Sequence, residues 1–254
     1  MGDTLRVLSY NVHSGLGVDG RLDLDRVASV VRRVDPDVVG LQEVDRRFRE
    51  SSEYEDQFAV LRDRLGAHGV FAPALEREPT ADSGGDPRQY GNAVLSWAPV
   101  RSSRTLELPA DPESERRVLL VTAVEFEGTS LSFATTHLGL TADERRRQVA
   151  TILDVAAETQ PPQVLVGDFN ATPDGVPISA LTETYVDAFD DCGAGDAPTF
   201  PASSSDDGTG ESTAPERRID YVFCTPDVTV RSVGRVDSPA SDHLALTATL
   251  ELPA

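Results

Sequence analysis

The stretch Val164–Gly175, VLVGDFNATPDG, constrains this chain more than any other. Val164, Leu165 and Val166 form a short apolar run, the pattern of a buried strand. Gly167 ends the run, Asp168 and Asn170 follow it, and Pro173, Asp174 and Gly175 turn the chain away. A carboxylate and a carboxamide so spaced at a strand tip can point into one cavity. An ionised Asp accepts a proton from water, and an Asn both donates and accepts. A plain Asx turn after a core strand has the same local pattern, so the remaining chain has to decide between the two.

The chain has 254 residues, 39% of them hydrophobic, which suits one large α/β domain over residues 1–254. No apolar run approaches the roughly 20 residues of a membrane span. The N-terminus enters LRVLSYNV with no basic and apolar leader before it, so the expectation is a soluble, cytoplasmic protein. Cys192 and Cys224 stand outside any metal-ligand spacing and read as reduced, packed thiols. The net charge is −20, from 43 acids against 23 basic residues, and there is no lysine. Such a surface stays hydrated in molar salt and predicts a salt-loving archaeal source. Concentrated salt also screens any electrostatic drive toward nucleic acid.

Leu5–Val12 reads as a strand that delivers Asn11 and His13 at its end. Asp23 or Asp25 caps a helix whose Val27, Val30, Val31 and Val34 share a face, and Asp35-Pro36 closes it. Asp37–Leu41 is a second buried strand ending at Gln42-Glu43. This β-α-β unit predicts parallel neighbours, with Asn11 and Glu43 side by side at one sheet edge. A Glu beside an Asn, with no soft ligand nearby, suits a hard cation such as Mg²⁺ or Mn²⁺. Further along, Gln57–Leu65 reads as a helix, Gly69–Ala74 as a strand, and the polar Glu76–Gln89 as a surface loop. Strands follow at Ala93–Trp97, Arg104–Leu108, Arg117–Glu125 and Leu131–Thr136, the last ending in His137. Thr141 and Glu144 form a capping box for a helix through Ala157, on which Arg145, Arg146 and Arg147 read as a solvated face. Val176–Thr182 is a short helix, Ala194–Pro215 a long loop, and Ile219–Cys224, Val228–Val236 and Leu244–Leu252 complete the strands. The pattern predicts a layered α/β sandwich. His137 and His243 then stand at strand ends among Asn11, Glu43, Asp168, Asn170, Asp220 and Asp242, which together make a site.

From Leu5 to Leu252 the sequence resembles the endonuclease/exonuclease/phosphatase superfamily, the fold of deoxyribonuclease I and exonuclease III. The resemblance rests on YNVH (Tyr10–His13), LQEVD (Leu41–Asp45), YGNAVLS (Tyr90–Ser96), THLG (Thr136–Gly139), VGDFNATP (Val166–Pro173), RRIDYVF (Arg217–Phe223) and SDH (Ser241–His243), in the family's order. It implies a four-layer α/β sandwich, two packed mixed β-sheets with helices outside, and a site at one end. It further implies that Asn11 and Glu43 serve a metal, with Glu43 the main ligand and Asp242 acting through water. Asp168 would orient or deprotonate the attacking water, and Asn170 would hold that water or a phosphoryl oxygen. His243, oriented by Asp220, would stabilise charge on the phosphoryl oxygens, and His137 matches a histidine that assists the leaving group. In-line attack on phosphorus needs these parts.

The sequence departs from the pattern in three ways, the first being that the tryptophans and aromatics that insert into abasic DNA are not evident, Trp97 being the one tryptophan. Apurinic-site endonucleases carry an acid or amide where His13 stands. Deoxyribonuclease I-like members pair the leaving-group histidine with a glutamate, whereas the corresponding region here reads Tyr90-Gly91-Asn92. The expected activity is Mg²⁺-dependent phosphoester hydrolysis. A DNA or RNA nuclease is the alternative within the fold, and a non-catalytic binding module is the alternative outside it. A dead relative would have lost a metal or water-activating residue, and none is missing. The absence of lysine favours a small phosphoester over polymeric DNA, with loops Glu76–Gln89 and Ala194–Pro215 walling the cavity. Asn92, His13, Arg116 or Arg117, and Arg217 or Arg218 are the expected substrate contacts. No protein partner is indicated.

Overall fold

The computed structural model describes residues 3–194, 197–202 and 215–253. Its elements run β1 (Thr4–Asn11), α1 (Leu24–Val34), β2 (Val38–Arg46), α2 (Gln57–Leu65), β3 (His68–Arg77), β4 (Arg88–Ser96), β5 (Val100–Leu108), β6 (Arg117–Phe126) and β7 (Thr129–His137). They continue with α3 (Ala142–Glu158), β8 (Gln163–Asp168), α4 (Val176–Thr182), β9 (Val186–Asp187), α5 (Ala188–Asp191), β10 (Asp220–Cys224), β11 (Thr229–Val236) and β12 (Ala245–Glu251). The strands build two six-stranded sheets, in the orders β11-β12-β1-β2-β4-β3 and β5-β6-β7-β8-β10-β9. Each sheet is mixed: β1 with β2 and β7 with β8 are parallel, and the other ladders are antiparallel.

Side-chain alternation along the central strands sorts the layers. Val38, Val164, Val166, Phe133 and Leu246 point between the sheets and form the middle core. Val39 and Leu41 face outward onto Val27, Ala28, Val30 and Val31 of α1. Leu165 and Phe223 face the opposite way, onto Val149 and Ile152 of α3 and Leu181 of α4. Strands covered on both faces read as unbroken apolar runs, which is why they were visible in the sequence. The result is the expected four layers, helix, sheet, sheet, helix.

Several boundaries moved. The cap of α1 is Asp23, whose side chain accepts from the Arg26 backbone N–H. The loop expected over Glu76–Gln89 is shorter, because β3 and β4 stay paired as far as Arg77 and Arg88. Those outer residues are exposed or half-buried on both faces, so no hydrophobic period marks them. β5 likewise begins at Val100 and is exposed along most of its length, as befits an edge strand. The loop expected over Ala194–Pro215 lies largely outside the described residues. Both cysteines are free thiols, Cys224 buried and Cys192 exposed. No helix among the described residues is long and apolar enough to cross a membrane.

Candidate active site

Strand direction brings the chemistry to one edge. β1 and β2 run side by side with Asn11 opposite Gln42. β7 and β8 place His137 opposite Asp168, and antiparallel β10 places Asp220 on the other side of Asp168. β12 runs against β1, so the segment Ser241–His243 that precedes it arrives at the same end. Asn11 then spans the gap between the sheets. Its Nδ2 donates to Glu43 Oε1 at 3.0 Å and to Asp168 Oδ2 at 3.1 Å.

Two local devices aim these side chains. The β2–β4 register slips between Leu41 and Val44, and Glu43 within that bulge takes φ of 57°. Asn170 takes φ of 49°. Left-handed backbone at non-glycine residues costs about 1–3 kcal/mol and gathers at functional sites. Gly167 serves a different need: a Cβ there would sit 2.1 Å from the Thr136 carbonyl oxygen, so only glycine lets β8 lie this close to β7 just before Asp168.

Asp168 is 1% exposed and is the focus of the site. Its Oδ1 accepts from the Asn170 backbone N–H at 2.9 Å. Its Oδ2 lies 3.3 Å from His137 Nε2 and 3.7 Å from His243 Nε2. Burial raises the Asp168 pKa well above the carboxylate range; the His243 charge opposes this, and the Asp220 charge adds to it. His243 Nδ1 meets Asp220 Oδ2 at 2.9 Å. Burial alone would lower the His243 pKa, but Asp220 and then Asp168 overcome it and lift the ring to about 10. His243 is therefore an imidazolium at neutral pH.

His137 is the opposite case. Arg117 Nη1 lies 3.0 Å from His137 Nδ1, and a guanidinium can only donate, so Nδ1 accepts and the ring proton sits on Nε2, facing Asp168. Burial, then the Arg117 charge, pushes the His137 pKa well below 6.5. The partner that sequence reasoning sought for this ring is thus an arginine and not an acid.

The expected substrate contacts are placed unequally. Arg117 is buried between His137 and Glu115, whose Oε1 is 2.6 Å away, so it orients a ring and does not reach outward. Asn92 is also buried and donates to the Val118 carbonyl at 3.1 Å, tying β4 to β6. Arg116 is exposed, 3.8 Å from Glu107. Arg218 is buried in an ion pair with Asp187 at 2.8 Å. Arg217 lies on the surface, its guanidinium over the Phe200 ring, which in turn packs on His243 with centroids 4.7 Å apart. His13 is half-exposed, with Nδ1 3.4 Å from Asp242 Oδ1 and its backbone N–H donating to Asn11 Oδ1.

The donor set suits a hard divalent cation. Glu43, His137 and Asp168 cluster within 4.8 Å of one another, and with both His137 nitrogens engaged the free ligand atoms are the carboxylate oxygens of Glu43 and Asp168. The Glu43 side chain is 20% exposed, and Asp242, 31% exposed, opens to the same edge. Burial raises the Asp242 pKa, and the Glu43 charge adds to that. Four carboxylates converge here, and a divalent cation would relieve their repulsion. The second cluster, Asp168, Asp220 and His243, is already an ion pair and offers less.

The reading of Arg145 as part of a solvated face is corrected. Arg145 is half-buried, donates to the Gly139 and Leu140 carbonyls at 3.2 and 2.7 Å, and stands close enough to Asp168 for the two charges to interact. The signal was available: a helix that starts five residues after His137 must put its first turn at the site. The readings of Arg146 and Arg147 as surface residues hold in part, since Arg147 closes on Asp111 at 2.6 Å.

Fold and site define a hydrolase that acts on phosphoester bonds. The chain belongs to the endonuclease/exonuclease/phosphatase family, whose model matches residues 8–243. The crystal structure of an endonuclease/exonuclease/phosphatase from Beutenbergia cavernae is similar at 30% identity and a TM-score of 0.80, covering 99% of this chain and 72% of that one. The mannosyl-6-phosphatase of Bacteroides thetaiotaomicron shares the fold at 17% identity, a TM-score of 0.77 and coverage of 97% and 99%. TDP2 of D. rerio, in complex with single-strand DNA product, does so at 19% identity, a TM-score of 0.72 and coverage of 98% and 99%. No curated protein sequence matches this chain.

Proposed function

We propose that this protein is a Mg²⁺-dependent hydrolase of small phosphoesters, acting by in-line attack of water on phosphorus. The observation that carries the reading is the position of Asp168 Oδ2 between a neutral imidazole and an imidazolium, 3.3 Å from one and 3.7 Å from the other. Asp168 takes the water proton, and its raised pKa makes it a better base than a surface carboxylate. His243, held cationic by Asp220, stabilises the charge that grows on the phosphoryl oxygens. His137, a neutral imidazole, donates a hydrogen bond from Nε2 and keeps its proton, the departing alkoxide is protonated by solvent water, and Asn170 positions the attacking water or a phosphoryl oxygen. Glu43, steadied by Asn11, would be the main ligand of a divalent cation, with Asp242 acting through water, and the cation when bound would supply Lewis-acid polarisation of the phosphoryl group. Arg217 remains at the surface as a substrate contact, and His13 borders Asp242.

The test is a screen of purified protein with Mg²⁺ or Mn²⁺, in molar KCl, against sugar phosphates, inositol phosphates, a generic phosphodiester, RNA and plasmid DNA. Metal-dependent release of phosphate from small esters, abolished by EDTA, is the expected result. Efficient nicking of DNA with no small-molecule turnover would make the protein a nuclease, and activity indifferent to EDTA would remove the metal.

A further inference from the structure

A recess of about 500 Å³ opens beside Asn170, between the first turn of α3 and the start of α4. Arg145, Arg146 and Arg217 line it, with Asp143 as its one carboxylate among the described residues. That is an unusual balance on a chain with a net charge of −20. Sequence neighbours give the contrast. Arg147 closes on Asp111 at 2.6 Å, and Arg218 on Asp187 at 2.8 Å. Arg146, by comparison, stands 3.8 Å from Asp143. Arg145 donates to backbone carbonyls, and Arg217 has no carboxylate partner among the described residues. The N-terminal end of the 17-residue α3 adds the positive end of its dipole to the same recess. Val176, 68% exposed, and Pro177 supply an apolar wall for a carbon skeleton.

We propose that this recess binds a second anionic group, phosphate or carboxylate, carried on the organic part of the substrate, while the first phosphoryl group sits at Asp168. Guanidinium groups hold such oxygens with paired, charge-assisted hydrogen bonds. Asn170 belongs to both places, lying 3.1 Å from His137 Nε2 and lining the recess, so one small molecule spans them. The inference rests on the small-phosphoester reading above and names the substrate class within it: short, doubly anionic esters.

The experiment compares glucose 6-phosphate, 6-phosphogluconate and glucose 1,6-bisphosphate at fixed molar salt with Mg²⁺, measuring phosphate release. One or both doubly anionic esters should exceed glucose 6-phosphate in kcat/KM by on the order of tenfold, mainly through KM. Preference for the bisphosphate alone assigns the recess to phosphate, and preference for both assigns it to either anion. The Arg146→Met/Arg217→Met double variant should erase the advantage, with the melting temperature checking its fold. Arg101→Met, on the remote edge strand β5, should keep it. Equal efficiency on all three esters, or an advantage that survives the double variant, overturns the inference and leaves the small-phosphoester reading standing. No turnover of any small ester overturns that reading, and the inference with it.

Discussion

Two buried histidines face the same carboxylate, and only one of them is charged. His137 and His243 are both 5% exposed, and both turn Nε2 toward Asp168 Oδ2. What differs is the group at Nδ1. Behind His243 stands Asp220, an acceptor that lifts the ring to about 10. Behind His137 stands Arg117, a donor beside which a protonated ring is disfavoured, and burial lowers the ring further. Burial alone would leave both rings neutral. A partner three ångströms away decides which becomes a cation for developing charge and which stays a neutral donor.

The comparison breaks most completely if its shared carboxylate is removed. Asp168→Asn should cost on the order of a hundredfold or more in kcat, as should Glu43→Gln through loss of the cation. Near-wild-type rates for either variant at saturating Mg²⁺ would sink the role given to it.

Next in size is Asp220→Asn. Losing a charge-assisted hydrogen bond of about 1.5–3 kcal/mol predicts a roughly ten- to hundredfold fall in rate. The alkaline limb of the pH–rate profile should move down, because the charge that raises His243 is gone. Stability carries the same sign. A histidine raised from 6.5 to about 10 on folding contributes stability that is complete below 6.5 and is lost as pH rises through about 10. Denaturant unfolding should therefore separate wild type from Asp220→Asn at pH 6 and bring them together above pH 10. A constant gap across that window would contradict the ion pair.

Arg117→Met sharpens the other half. Without the guanidinium the His137 pKa should rise, burial still holding it below the ordinary value, and the rate should fall by about tenfold or less. Ring-nitrogen NMR gives the direct reading: Nε2 protonated in wild type, with a mixture of tautomers in the variant. A wild-type ring protonated at Nδ1 would end the comparison.

The smallest effect concerns charges outside the site. A net charge of −20 repels itself in dilute buffer, and screening relieves this, so raising KCl to molar levels should lift the melting temperature by roughly a few degrees. The His243 titration should move far less, since a buried pair is poorly screened. A flat melting temperature would remove the salt-adapted reading.

Much of this was legible in the chain. Leu5–Val12 and Val164–Val166 stand out because both faces of those strands are covered. Asn11, Glu43, His137, Asp168, Asp220 and His243 stand out because each sits where an apolar run stops. The outer β3–β4 hairpin and the first residues of β5 did not, since exposed strand residues carry no hydrophobic period. The short β9 and α5 were passed over for want of length. Among the site residues, Arg117 and Asn92 were placed at the right edge but turned the wrong way. Their neighbours, His137 and the Val118 carbonyl, lie on other strands, 20 and 26 residues along the chain.

By itself the sequence determined which segments are strands, which residues stand at their tips, and that the chain is strongly acidic. These follow from periodicity and composition, which are local. Only the tertiary structure decided that Asn11 meets Asp168 across 157 residues, that a bulge turns Glu43 toward it, and that an arginine faces His137 where an acid was sought. It also decided that Arg145, Arg146 and Arg217 share one recess. Those facts depend on which strands lie side by side and how two sheets stack, and strand pairing leaves no trace in the period of either partner.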